Sequence, residues 1–144
     1  VNFLLSLIVL FLFILLFNIK LTTAVILLPF IIVIQLIFIA GISLILSSLN
    51  VQYRDVRYIT EVVLMLWFYV SPVFYPLSMV PKKFLGYYML NPMAGIITSY
   101  RSVLINGEIP ELNLILTVSI MSLLSLVIGF IIFRRHEPYF ADFV

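Results

Sequence analysis

Long stretches without a single charge dominate this chain and limit what it can fold into. No charged residue occurs from Val1 to Ile19, Leu21 to Tyr53, Val62 to Pro81, Phe84 to Tyr100 or Leu112 to Phe133. A helix rises about 1.5 Å per residue, so roughly 20 apolar residues cross the hydrocarbon core of a bilayer. Several of the stretches reach that length. With 65% hydrophobic and 10% charged residues, 144 residues cannot hide so much apolar surface inside a water-soluble domain. The expected class is an all-α integral membrane protein.

Composition excludes several functions. The formal charge is +2 and the basic residues are scattered singly or in pairs, so no nucleic-acid-binding face is expected. Without cysteine, and with His136 the one histidine, neither a thiolate nor a histidine metal cluster is expected. No GxxxxGK[ST] phosphate loop occurs, so no cofactor is expected in this chain. Ser71 and Ser119 have no histidine in reach of a credible topology, and His136 lies in the tail beside Arg135, so no enzyme active site is expected. The chain opens on Val1 inside an apolar run, with neither a basic leader nor a small-residue cleavage pattern. It reads as a piece of a longer membrane protein lacking its N-terminal part.

Charged and helix-breaking residues divide the chain into spans of about 2–19, 24–49, 59–80 and 112–133, with a tail from 134 to 144. Pro29 falls in the first turns of the second span, where a missing N–H costs least. Ala40, Gly41, Ser43, Ser47 and Ser48 in that span, and Ser119, Ser122, Ser125 and Gly129 in the last, would let another helix approach closely. The third span is interrupted at Ser71-Pro72 and again at Tyr75-Pro76. Proline kinks or ends a helix, and Pro72 lies about 21 Å of helix beyond Tyr58, past the midplane.

Between the third and last spans lies an unusual region, about 82–107. Asn91-Pro92 reads as an N-cap followed by proline at the first helical position. Met93, Ile96, Ile97, Tyr100, Val103 and Leu104 then recur at helical spacing, and Asn106-Gly107 is a left-handed stop. A helix over 92–105 measures about 21 Å, too short to cross comfortably. With Phe84 to Leu90 it forms a short re-entrant helical pair, the alternative being an amphipathic helix lying on the surface. Charge does not fix the orientation: Arg54, Arg57, Arg134 and Arg135 balance Lys20, Lys82, Lys83 and Arg101.

The landmarks, taken in order, resemble a known family. They are NVQYRDVRY (50–58), LWFYVSPVFYPLSMVP (66–81), LNPMAG (90–95), the Tyr100-Arg101 pair and the terminal FRRHEPYFADFV. This set is similar to the permease subunit of ABC-2 type transporters, in the branch that exports polysaccharide, lipopolysaccharide O-antigen and teichoic acid. The resemblance covers the whole chain but only about the C-terminal half of a family member. It implies that the four transmembrane helices here match the third to sixth of a six-span permease in the cytoplasmic (inner) membrane. The Asn50–Tyr58 loop and the C-terminus would then be cytoplasmic.

The same resemblance implies partners and roles. A separate ATP-binding cassette ATPase would carry ATP and magnesium, and a second permease copy would complete a homodimer around a glycan or lipid-linked glycan, within membrane lipid. Tyr53, Arg54, Asp55 and Arg57 are candidates for the contact with the ATPase, against a reading as plain interface anchors. Sugar faces slide on aromatic rings, so Trp67, Tyr69, Phe74, Tyr75, Tyr87 and Tyr88, beside the helix breaks Pro72, Pro76 and Pro92, are candidates for the path. The competing account is an interfacial aromatic belt or a lipid-facing surface. Arg101 would meet a phosphate on the substrate, or close a gate with Glu108 or Glu111, or else snorkel to the interface. An exporter of drugs or small lipids and a non-transporting membrane assembly subunit remain alternatives.

Overall fold

A computed structural model describes residues 2–16, 22–53, 55–75, 79–81, 83, 86, 88 and 90–137. Those residues form helices, turns and loops, with no strand among them. The helices are α1 (Asn2–Leu16), α2 (Leu28–Gln52), α3 (Val56–Val70), α4 (Pro92–Arg101) and α5 (Leu112–His136). A 3-10 turn, Thr23–Leu27, leads into α2, and a π-helical turn, Ser102–Asn106, follows α4.

Local chemistry explains the ends. Pro29 sits in the first turn of α2, where its missing N–H is not needed. α4 starts at Asn91, whose side chain accepts from the Met93 backbone N–H, with Pro92 next. The helical run after Asn91 is α-helical only to Arg101. The final turn widens because the Gly107 N–H bonds back to the Ser102 carbonyl, and Gly107 itself is left-handed at φ 69°. α3 stops at Val70 because Pro72 forces the preceding Ser71 into an extended conformation. The helix of the third span thus ends at Val70, at the expected Ser71-Pro72 interruption, and residues 71–75 form turns and bends. Of the first half of the expected re-entrant pair, Phe84 to Leu90, Gly86 and Tyr88 are helical, as is Lys83 just before it, and Leu90 lies in a turn; Phe84, Leu85, Tyr87 and Met89 lie outside the described residues.

The core sits where α2 packs on α5 and α4. Leu28, Ile31, Ile34, Phe38, Gly41 and Ser48 of α2 are buried at helical spacing, facing Val118, Ser122 and Gly129 of α5. At the crossing the backbones touch. A Cβ built on Gly41 would lie 2.5 Å from the Leu126 nitrogen and the Ser125 carbonyl carbon. One built on Gly129 would collide with the Gly41 carbonyl oxygen. Such contact without side chains between is how helices pack where no water drives them together.

The course of the chain follows from one contact and one short connection. The turn Thr23–Leu27 lies against Ser102–Asn106. Residues 107–111 alone separate that turn from α5, so α5 starts at the end where α2 starts. The two helices run parallel, and α3 returns the chain between them. The start of α3 and the basic last turn of α5, with Arg134, Arg135 and His136, thus share one end, while the break after α3 and the Gly107 stop share the other.

The outward faces are apolar. Thr23–Gln52 and Leu112–His136 are each long and apolar enough to cross a membrane. No residue of α3 is buried, although Val62, Met65, Leu66 and Tyr69 all lie on it. Apolar surface on that scale is sheltered only by lipid or by other helices.

Candidate functional site

Where α3 breaks, the backbone leaves helical geometry and its carbonyls lose their partners. The Ser71 N–H still closes on the Trp67 carbonyl at 2.9 Å, and the Val73 N–H closes a three-residue turn on the Ser71 carbonyl at 2.7 Å. Side chains take five more carbonyls. Tyr75 Oη reaches the carbonyls of Tyr69 and Val70 at 3.3 and 3.4 Å. Arg101 Nη1 donates to the Tyr75 carbonyl at 3.2 Å, and Nη2 to those of Pro72 and Val73, each at 3.3 Å. Irregular backbone away from water is tolerated when its polar groups are satisfied in this way.

Asn91 ties the other end of α4 to the same break. Its Oδ1 caps α4 through the Met93 N–H and also accepts from Trp67 Nε1 at 2.9 Å, while Nδ2 donates to Ser71 Oγ at 3.1 Å. Three of the four hydrogen-bonding positions of one amide are thus occupied. The Trp67 ring stands edge-on to Phe38 of α2, with centroids 6.0 Å apart and planes at 84°. Between α2, α3, the break and α4 lies a cleft of about 340 Å³. Trp67, Phe68, Phe38 and Met93 supply most of its character, and Ser43 and Ser71 its hydroxyls.

The tyrosines form a second cluster at this end. Tyr75 and Tyr88 hydroxyls are 2.7 Å apart. Either hydroxyl can donate in that bond; when Tyr75 does, its single hydrogen is withdrawn from the Tyr69 and Val70 carbonyls. Their rings meet at 6.4 Å and 73°, and Phe68 contacts Phe74 edge-on at 5.2 Å.

The break therefore gathers Trp67, Tyr75, Tyr88 and Arg101 around Pro72, with Pro92 opening the helix that holds them. Tyr69 and Phe74 point away from the cleft, 60% and 76% exposed. Tyr87 and Pro76 lie outside the described residues. Arg101 is half-buried, and neither Glu108 nor Glu111 pairs with it: the ion pair seen among the described residues is Arg57–Glu61, at 3.8 Å. At the opposite end, Tyr53 ends α2 and Asp55 precedes α3, while Arg57 is exposed; Arg54 lies outside the described residues.

Sequence reasoning overlooked Gln35. Its Oε1 accepts from the Tyr100 hydroxyl at 2.6 Å, across the contact between α2 and α4. A signal existed: it is the lone hydrogen-bonding side chain between Thr23 and Ser43. The part of Asn91 beyond capping had no such signal, because its partners Trp67 and Ser71 are more than a helix away in sequence.

Comparison with known proteins places this architecture. The family model described as ABC-2 type transporter matches residues 1–105, which run from α1 through the break to the end of α4 and its following turn. The chain belongs to the ABC-2 type transporter family. This ABC-2 chain is 32% identical over 84% of its length to an O-antigen export system permease protein of Myxococcus xanthus, covering 47% of that protein. It is 34% identical over 79% of its length to one from Klebsiella pneumoniae, covering 44% of it. A polysialic acid transport protein of Escherichia coli is 24% identical over 67% of the chain and 38% of its own length. The chain thus spans less than half the length of these relatives, and no solved structure matches it. Family membership and the apolar outer faces of α2 and α5 together make it an integral membrane protein.

Proposed function

We propose that this chain is part of the permease of an ATP-driven exporter moving polysaccharide or a lipid-linked glycan across the cytoplasmic membrane. The carrying observation is its similarity to O-antigen export permeases over about four fifths of its length. In this reading four spans and a re-entrant region cross or enter the bilayer. The parallel course of α2 and α5 supports an odd number of crossings between them. The end holding Asp55, Arg57, Arg134 and Arg135 is cytoplasmic, and Asp55 and Arg57 meet the partner ATPase, which binds ATP and magnesium.

Two copies form the conduit, and the rings around the α3 break border it. Trp67, Tyr75 and Tyr88 offer apolar faces with polar rims, suited to a sugar chain that must slide without being held. Tyr69 and Phe74, exposed in one copy, are available to the second copy or to the glycan. A second reading is favoured by the cleft itself. Its lining is almost wholly apolar, which suits a drug or a small lipid better than a hydroxyl-rich sugar.

Disruption of the gene separates the two. Glycan export requires that surface polysaccharide disappear while lipid-linked glycan accumulates inside. Unchanged surface glycan with impaired efflux of an apolar compound would replace the first reading by the second.

A further inference from the structure

The α3 break, residues 71–75, is held from both ends of one helix. Asn91, at the N-terminus of α4, bonds Ser71 and Trp67. Arg101, its last residue, bonds the carbonyls of Pro72, Val73 and Tyr75. α4 has 10 residues and is about 15 Å long, so these attachments are well separated. Two attachments that far apart stop the break from pivoting on α4; one would not.

Arginine suits this task for a geometric reason. Its planar fork presents several N–H groups in fixed directions and can serve three carbonyls at once, whereas a lysine ammonium acts as a point donor. Among the described residues no carboxylate pairs with Arg101. Its hydrogen-bond partners among the described residues are all carbonyls of the break.

We propose that Asn91 and Arg101 are positioning residues that clamp the α3 break to both ends of α4, so that the break and the short helix move as one rigid piece. Its meaning for transport rests on the function proposed above; the clamp itself does not. Motion during a cycle would then be absorbed at the ends of this piece and not at Pro72. Arg101 would be needed for its donor geometry more than for its charge.

The chain has no cysteine, so Val73→Cys in a cysteine-free complete permease gives a single reporter on the break. In membrane vesicles, the rate at which a maleimide modifies that thiol measures how often the break leaves α4. Arg101→Lys and Arg101→Gln should each raise the rate roughly tenfold, as expected for losing one charge-assisted hydrogen bond. Asn91→Ser keeps a helix cap but cannot reach both Trp67 and Ser71, and should raise the rate less than the Arg101 variants do.

A second arm uses Pro72→Ala, which restores an N–H and lets the helix continue, giving the freed carbonyls backbone partners. In that background Arg101→Gln should change the rate little. A Lys variant labelled as slowly as the parent, beside a fast Gln variant, would show that charge is what counts and would overturn the clamp in favour of anion binding. So would an effect of Arg101→Gln that is undiminished by Pro72→Ala. Labelling requires no export, so a mistaken transport reading would leave these rates as expected.

Discussion

The Tyr100 hydroxyl donates to Gln35 Oε1 at 2.6 Å, joining α4 to α2 beside a buried apolar cluster that includes Ile31, Ile34, Phe38 and Ile96. Side-chain bonds between membrane helices are worth about 0.6 kcal/mol on average and up to about 1.7. Tyr100→Phe is expected to cost an amount in that range, read from thermal unfolding in detergent. Adding Gln35→Leu should recover most of it, because no polar group is then left without its partner. Simple additivity of the two losses would count against the bond.

Glycines at two crossings should respond differently. Gly41→Ala drives a methyl into backbone atoms of Ser125 and Leu126, which cannot retreat without parting α2 from α5. A loss of about 3 kcal/mol or more is expected, the upper end for overpacking. A methyl on Gly95 meets Val118 Cγ2, a side-chain atom, so Gly95→Ala should be rescued by Val118→Ala. A Cβ built on Gly86 meets nothing within 4 Å among the described residues, and alanine there serves as the control.

Ser122 and Ser125 carry buried hydroxyls without a hydrogen-bond partner among the described residues. Removing a buried polar group that bonds nothing is neutral or favourable. Ser122→Ala should therefore leave the unfolding temperature unchanged or raise it, by up to about 1 kcal/mol in stability. A marked drop would mean that the hydroxyl has a partner in the assembled permease.

Gly107 closes the turn after α4 at φ 69° and ψ 21°. An L-residue there costs about 1–2 kcal/mol, less for asparagine. The order of stability Gly107, Gly107→Asn, Gly107→Val is the expected outcome of an unfolding series.

Arg57 and Glu61 form an exposed pair one helical turn apart. Such pairs contribute about 0.5 kcal/mol or less, so Glu61→Gln should hardly alter stability. If this end meets the ATPase, Arg57→Glu should instead uncouple ATP hydrolysis from export while the protein stays folded. Parallel measurement of hydrolysis and surface glycan tests it, and unaltered coupling would remove Arg57 from the contact.

Much of the local structure was legible because its causes are local. Asn91-Pro92 starts α4 through one side chain and one missing N–H, both within three residues of each other. Gly107 is left-handed because it has no Cβ. Pro72 ends α3 because the ring clashes with the preceding turn. The small residues of the second and last spans marked faces for close approach, and Gly41 and Gly129 do meet.

What charge spacing and hydropathy determined alone was the medium and the number of long apolar segments, since transfer of a side chain to lipid depends on that side chain and its near neighbours. Tertiary structure decided which of these segments touch. Trp67 and Asn91, Tyr100 and Gln35, and Arg101 and the break lie 24, 65 and 26–29 residues apart. Their pairing depends on α2 and α5 running side by side and on α4 packing against both. No pattern confined to one helix can specify that, because each partner meets its sequence-period requirements equally well with lipid in the other's place.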